Sequence, residues 1–204
     1  MSCSTPSSIR KHPHLCRFPR IRLRPTALLP AAALLFTDRT AMALLPPAAA
    51  ACHELGHLAA MLLFGIPVRE IDITPLGAVI RTAPAAPNAY RDAIVHLAGP
   101  AVNLLCAAWL LLPGCTPAMQ IFALSSLALA LFNLLPIRSL DGGCAMAILL
   151  TSVIPAHAQI IAEVLSAVSL AVLWLAAGYL LLLCGGNLSL FVICVFLFAE
   201  LYLK

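Results

Sequence analysis

Charge is what this sequence has least of: of 204 residues only 10% are charged and 6% aromatic, while 62% are hydrophobic. So few charges cannot cover the surface of a water-soluble domain of this size, which excludes that class and points to lipid as the main solvent. Paired metal-ligand spacings are also missing among the eight cysteines, so no cysteine zinc site is read, and those inside apolar runs serve as small hydrophobic residues. Cys115 and Cys184 fall in predicted outer loops, with nothing to say that they pair. No Gly/Ser linker, internal repeat or sizeable polar domain breaks the chain.

What is present is a series of apolar runs near the length that a helix needs to cross a hydrocarbon core of about 30 Å at roughly 1.5 Å per residue. Six are read, at about 25–36, 41–63, 93–112, 119–135, 160–183 and 187–203, the first of them short. Arg10, Lys11, Arg17, Arg20, Arg22 and Arg24 precede the first run, which sets the N-terminus in the cytoplasm. If the spans then alternate, Arg69, Arg81, Arg91, Arg138 and Lys204 also fall inside, and only Arg39 lies outside. The formal net charge of +4 therefore reports topology and gives no reason to expect nucleic acid. A signal peptide ending at Ala41-Met42-Ala43 is the competing reading of the N-terminus, but Asp38 and Arg39 interrupt its apolar core.

The expected fold class is an all-α polytopic membrane protein with both termini cytoplasmic, a basic tail over 1–24 without regular structure, and one membrane domain over 25–204. Between the second and third spans, Val68-Arg69-Glu70-Ile71-Asp72-Ile73 alternates apolar and polar residues, and Ala78-Val79-Ile80-Arg81 follows a Pro75-Leu76-Gly77 turn. A short cytoplasmic β-hairpin is predicted there. The fourth span stops at Asn133-Leu134-Leu135-Pro136, and a new helix opens at Asp141 and runs to about Ile154, before Pro155. The residues between, Ile137 to Leu140, are expected to be extended. Non-helical backbone at membrane depth survives only where protein or a wet cavity satisfies it, so the break marks a site.

Within the second run, His53-Glu54-Leu55-Gly56-His57 matches H-E-x-x-H. On a helix the i,i+4 pair projects two imidazoles from one face, suited to two corners of a zinc tetrahedron, while Glu54 stands about 100° round, able to act on water without being a ligand. Glu54 is the sole acidic residue between Thr40 and Val68, and a carboxylate in an apolar span is costly unless it has a function. A third protein ligand is required; Asp141, His96, His157 and Cys144 are the candidates at membrane depth. Asp141 is preferred because it opens a helix at the break and is followed by Gly142-Gly143; simple helix capping is its competing role. His96 is a packing residue or a support behind the metal.

Together, His53-Glu54-Leu55-Gly56-His57, Gly99-Pro100-Ala101-Val102-Asn103, and Asn133-Leu134-Leu135-Pro136 through Leu140-Asp141-Gly142-Gly143 resemble the three signatures of the site-2 protease family, in that family's order, over about 41–154. The short chain without a PDZ domain is most similar to the bacterial sporulation-type branch, whose best-known member processes a sigma-factor precursor. The resemblance implies a three-helix catalytic core with one Zn2+ per chain on His53, His57 and Asp141, and Glu54 as general base and acid. It also implies that Asn133 stabilises the reacting carbonyl or positions substrate, and that Thr74-Pro75-Leu76-Gly77 offers an edge strand to an unfolded substrate. Expected partners are a membrane-associated protein substrate and the lipid bilayer of a bacterial cytoplasmic membrane, with room for an inhibitory membrane partner. Ser139 and Cys144 depart from the usual Pro and Arg around Leu-Asp-Gly-Gly, and Ala78 from a frequent Gly. Two other classes compete: a zinc-binding membrane regulator of the same fold without turnover, and a metal transporter, which predicts a repeat symmetry that is not found.

Overall fold

A computed structural model describes residues 20–23, 41–74, 77–82, 88–184, 193–195, 197–199 and 201. The elements in chain order are strand β1 (Arg20–Leu23), helix α1 (Leu45–Leu63), strands β2 (Val68–Thr74) and β3 (Gly77–Thr82), and helices α2 (Ala89–Ala107), α3 (Pro117–Asn133), α4 (Asp141–Val153) and α5 (Ala158–Cys184). Two short 3-10 stretches extend α1 backwards over Ala41–Leu44 and α2 forwards over Ala108–Leu111. The first predicted span and much of the last lie outside the described residues. Two helical segments, Ala89–Leu111 and Ala158–Leu183, are long and apolar enough to cross a membrane.

Local chemistry explains the helix boundaries. Pro46 and Pro47 occupy the first turn of α1, where no intrahelical donor is needed, and Gly65 turns the chain out of it at φ 64°. Asn88 caps α2 by accepting from the Arg91 amide at 3.1 Å, and Thr116 caps α3 by accepting from the Met119 amide at 3.3 Å. Pro100 sits inside α2 and has no N–H to give the His96 carbonyl four residues back.

Helix α2 is central, packing on α1, α3 and α4, while α5 lies against α4. The face of α1 turned to its neighbours carries Ala49, His53, Gly56, His57, Ala60 and Met61. That spacing is one helical stripe, and it is not an oily one. Large apolar side chains point away instead: Leu62 is 75% exposed, Leu63 86%, Leu105 72% and Leu182 86%, while His53, His57, Asn103, Ser126 and Ser166 are buried.

The predicted hairpin pairs β2 with β3 antiparallel, with Ile71 opposite Ile80 and Thr74 opposite Gly77; Pro75 and Leu76 lie outside the described residues. Four residues of the tail depart from the expectation of no regular structure. Arg20–Leu23 runs parallel to β2 and makes a third strand, pinned by an Arg22 to Glu70 ion pair of 2.6 Å. The chain is thus mostly helical with a small sheet.

The second correction concerns the break after α3, which is a compact set of turns and not an extended strand. The Leu135 amide bonds the Phe132 carbonyl at 3.2 Å, Ile137 bonds Leu135 at 2.8 Å, and Leu140 bonds Ile137 at 2.8 Å. Here the backbone satisfies itself locally, which extended chain at this depth would not do. Ile137 is fully buried and joins Leu140, Leu170 and Leu197 in one apolar cluster. Ser166 on α5 closes the turn from behind, accepting from the Arg138 amide at 3.0 Å and donating to the Pro136 carbonyl at 3.2 Å. A methyl group at Gly142 would run into the Leu134 carbonyl, and one at Gly143 into that of Ile137, so the first turn of α4 fits this fold-back only with glycines.

Candidate metal centre

The helical offset between His53 and His57 turns both imidazoles toward α4, where Asp141 is the first helical residue. Leu140 occupies the capping position of α4 with no side-chain capping bond, so capping does not occupy the Asp141 carboxylate. Its Oδ2 lies 2.9 Å from His53 Nε2 and 3.3 Å from His57 Nε2, and the two Nε2 atoms are 3.2 Å apart. Tetrahedral ligands about 2.0–2.1 Å from a zinc ion stand roughly 3.3 Å from one another. The three donor atoms therefore form a triangle of the size that one such ion needs. His53, His57 and Asp141 also make up the one cluster of metal-ligating side chains among the described residues.

A second ring of contacts holds these three groups. His57 Nδ1 donates to the Val95 carbonyl at 2.8 Å, which leaves Nε2 as the lone-pair nitrogen. Asn103 Nδ2 lies 3.3 Å from His53 Nδ1, and His96 Nδ1 lies 3.5 Å from Asp141 Oδ1. All three supports come from α2, while the ligands come from α1 and α4. At the crossing of α1 and α2, Gly99 faces the imidazoles. A Cβ there would overlap His57 Nε2 and come within 2.9 Å of His53 Nε2. Gly56 plays the matching part on α1, since a Cβ would meet the Ala98 carbonyl at 2.7 Å. Small residues let two helices approach closely enough for polar side chains to meet.

The structure brings His53, His57, Asp141 and His96 together. Glu54 is half-buried, one residue round the same helix, within electrostatic reach of His57. Asn133 Nδ2 donates to the Leu129 carbonyl of its own helix at 3.0 Å. Thr74 and Gly77 pair at the hairpin end, and the described contacts do not join them to the metal ligands. His157 and Cys144, the other candidate ligands, are not members of the metal-ligating cluster. Cys144 donates to the Arg138 carbonyl at 3.2 Å and so ties the break to α4.

Two groups escaped the sequence reading. A main-chain carbonyl such as Val95 leaves no signal in a sequence. Asn103 did, as a fully buried amide in an apolar helix at the end of Gly99-Pro100-Ala101-Val102-Asn103, but its role needs the α1–α2 crossing to be seen.

Comparison with known proteins finds similar chains. Residues 43–117 match the family model of peptidase family M50. A relative in Synechocystis sp., named as the zinc metalloprotease sll0528, is 37% identical over 109 residues, which is 50% of this chain and 29% of the relative. This chain thus spans less than a third of that relative's length. The solved structure of the site-2 protease from Methanocaldococcus jannaschii superposes with a TM-score of 0.60 at 21% identity, covering 87% of this chain and 86% of that one, and shows a shared fold. Two imidazoles and a carboxylate are a donor set that suits Zn2+. The motif, the donor triangle and the matches converge: residues 43–117 are similar to peptidase family M50, and the chain shares the fold of a solved site-2 protease.

Proposed function

We propose that this protein is a multi-pass membrane zinc endopeptidase that hydrolyses peptide bonds of membrane-associated or transmembrane proteins near the cytoplasmic leaflet of a bacterial membrane. The observation that carries the reading is the triangle of His53 Nε2, His57 Nε2 and Asp141 Oδ2 beside Glu54. The membrane setting is supported by the inside-out distribution of side chains, with leucines outward and histidines, Asn103 and serines inward.

In this mechanism His53, His57 and Asp141 hold the metal, and His96 steadies Asp141 through its second oxygen. When bound, zinc supplies Lewis acidity, lowering the pKa of water to about 7 and polarising a carbonyl. Glu54 takes a proton from the attacking water, whose oxygen bonds to the peptide carbon. It then delivers that proton to the leaving nitrogen as the C–N bond breaks. Asn133 reaches the reacting carbonyl after giving up its bond to Leu129.

Substrate must be extended, because a helical amide is shielded by its own hydrogen bonds. β1 already covers one edge of β2, so among the described residues the edge open to a substrate strand is that of β3. Processing of a sigma-factor precursor is the substrate role that the family resemblance suggests.

The test is zinc content together with cleavage of a single-span substrate in detergent. Wild type should hold one zinc and cleave; Glu54→Gln should keep the zinc and lose cleavage by at least about a hundredfold. A wild-type protein that holds no stoichiometric zinc would sink the reading.

A further inference from the structure

The two zinc-binding imidazoles are supported in different ways. His57 Nδ1 faces a backbone carbonyl, an acceptor under every condition, so its proton is fixed on Nδ1. His53 Nδ1 faces the side-chain amide of Asn103, which can present either a donor or an acceptor. As placed, the amide nitrogen lies 3.3 Å from His53 Nδ1, and the amide oxygen is buried with no hydrogen-bond partner. Asn103 is 0% exposed, so water does not make up the deficit, and a buried unpaired polar atom is costly.

A neutral histidine that binds metal through Nε2 carries its proton on Nδ1 and must donate it. An N–H facing an NH2 group is repulsive. Turning the amide by 180° about its last bond exchanges nitrogen for oxygen with little change of shape, and the orphan Oδ1 then accepts Nδ1–H. We infer that Asn103 is the residue that fixes the tautomer of His53 for zinc, presenting Oδ1 to Nδ1–H in the zinc-bound protein. It is a positioning residue acting through His53, and the inference rests on the zinc centre proposed above.

Three roles for Asn103 predict different behaviour in two substitutions. If the acceptor is what matters, Asn103→Leu, with similar volume and no acceptor, weakens zinc binding 10- to 100-fold, while Asn103→Asp, which accepts but cannot donate, retains most of the affinity. If the amide served as a donor, Asp would lose zinc along with Leu. If it only filled space, Leu would keep zinc and Asp would lose it.

The experiment is competition of full-length protein in detergent against a chromophoric zinc chelator, with the visible spectrum of the cobalt-loaded form reporting site geometry. Leu weak and Asp strong supports the inference. Leu binding as tightly as wild type, or Asp falling with Leu while both stay folded, overturns it. Should the variants not fold, 15N spectra of histidine-labelled wild type loaded with zinc decide. A protonated His53 Nδ1 hydrogen-bonded to Asn103 supports the inference, and an unprotonated one ends it. Absence of zinc from wild type would overturn the zinc centre itself, a result distinct from a silent Asn103.

Discussion

At the scale of single residues, the site is made of pairs that ordinary membrane helices avoid. Two imidazoles and a carboxylate within 3.3 Å of one another are stable only with a shared proton or a shared cation, and the surrounding contacts favour the cation. His57 has its Nδ1 committed to Val95, and Gly99 keeps free the space in which the Nε2 atoms converge. A methyl group at Gly99 would push directly on both nitrogens. Gly99→Ala should therefore lower zinc affinity by about tenfold or more while leaving helix content unchanged, as read by chelator competition beside circular dichroism. An unchanged affinity would mean that the imidazoles sit farther from α2 than described. Of these residues the sequence displayed His53, Glu54, His57 and Asp141 openly, because a metal helix has a fixed i,i+4 spacing and a lone carboxylate in an apolar run is conspicuous. Asn133 was equally visible, but the bond it makes to Leu129 is decided by a rotamer, which no spacing encodes.

At the scale of elements, the position of Asp141 depends on the turns between α3 and α4. Those turns rest on Ser166, on the buried Ile137 and on two glycines without room for a side chain. Arg138 adds an exposed ion pair to Glu163 at 3.2 Å, which contributes little in so open a position. Ser166 is different, since it is 2% exposed and serves two backbone groups at once. Ser166→Ala leaves the Arg138 N–H and the Pro136 carbonyl unpaired and should destabilise the protein by about 1–3 kcal/mol. A lower melting temperature in detergent, with weaker zinc retention as Asp141 loses its support, is the expected result. An unaltered melt would place the strength of the break in Ile137 and its apolar neighbours. The break itself was readable from Pro136 and Asp141, but its compact form was not. Extended chain and tight turns share the same residues, and only the serine arriving from a helix 30 positions later selects between them.

At the scale of the whole molecule, many large leucines are exposed while His53, His57 and Asn103 are buried, an arrangement that suits a lipid surround. The protein should therefore stay with the membrane fraction through an alkaline carbonate wash. Orientation has its own test. With the N-terminus inside, the α2–α3 connection holding Cys115 faces out, and Cys115 is among the free cysteines. In a chain keeping only that cysteine, a membrane-impermeant maleimide should label Cys115 on intact cells. Labelling only after lysis would invert the proposed topology and move the metal centre toward the opposite leaflet.

The sequence by itself pointed to lipid as the solvent and determined the metal helix, the third ligand's candidates and the hairpin, because each is written in local composition or spacing: few charges, an i,i+4 pair, a helix restart, a period of two. Tertiary structure alone decided which candidate completes the triangle. It also brought β1 to the sheet, folded the break into turns against α5, and gave α2 the work of orienting all three ligands through Val95, His96 and Asn103. Those outcomes depend on contacts between residues 28 to 88 positions apart. Contacts at that range are set by how helices cross, a property of small residues such as Gly56 and Gly99 meeting face to face, and no local pattern along the chain records it.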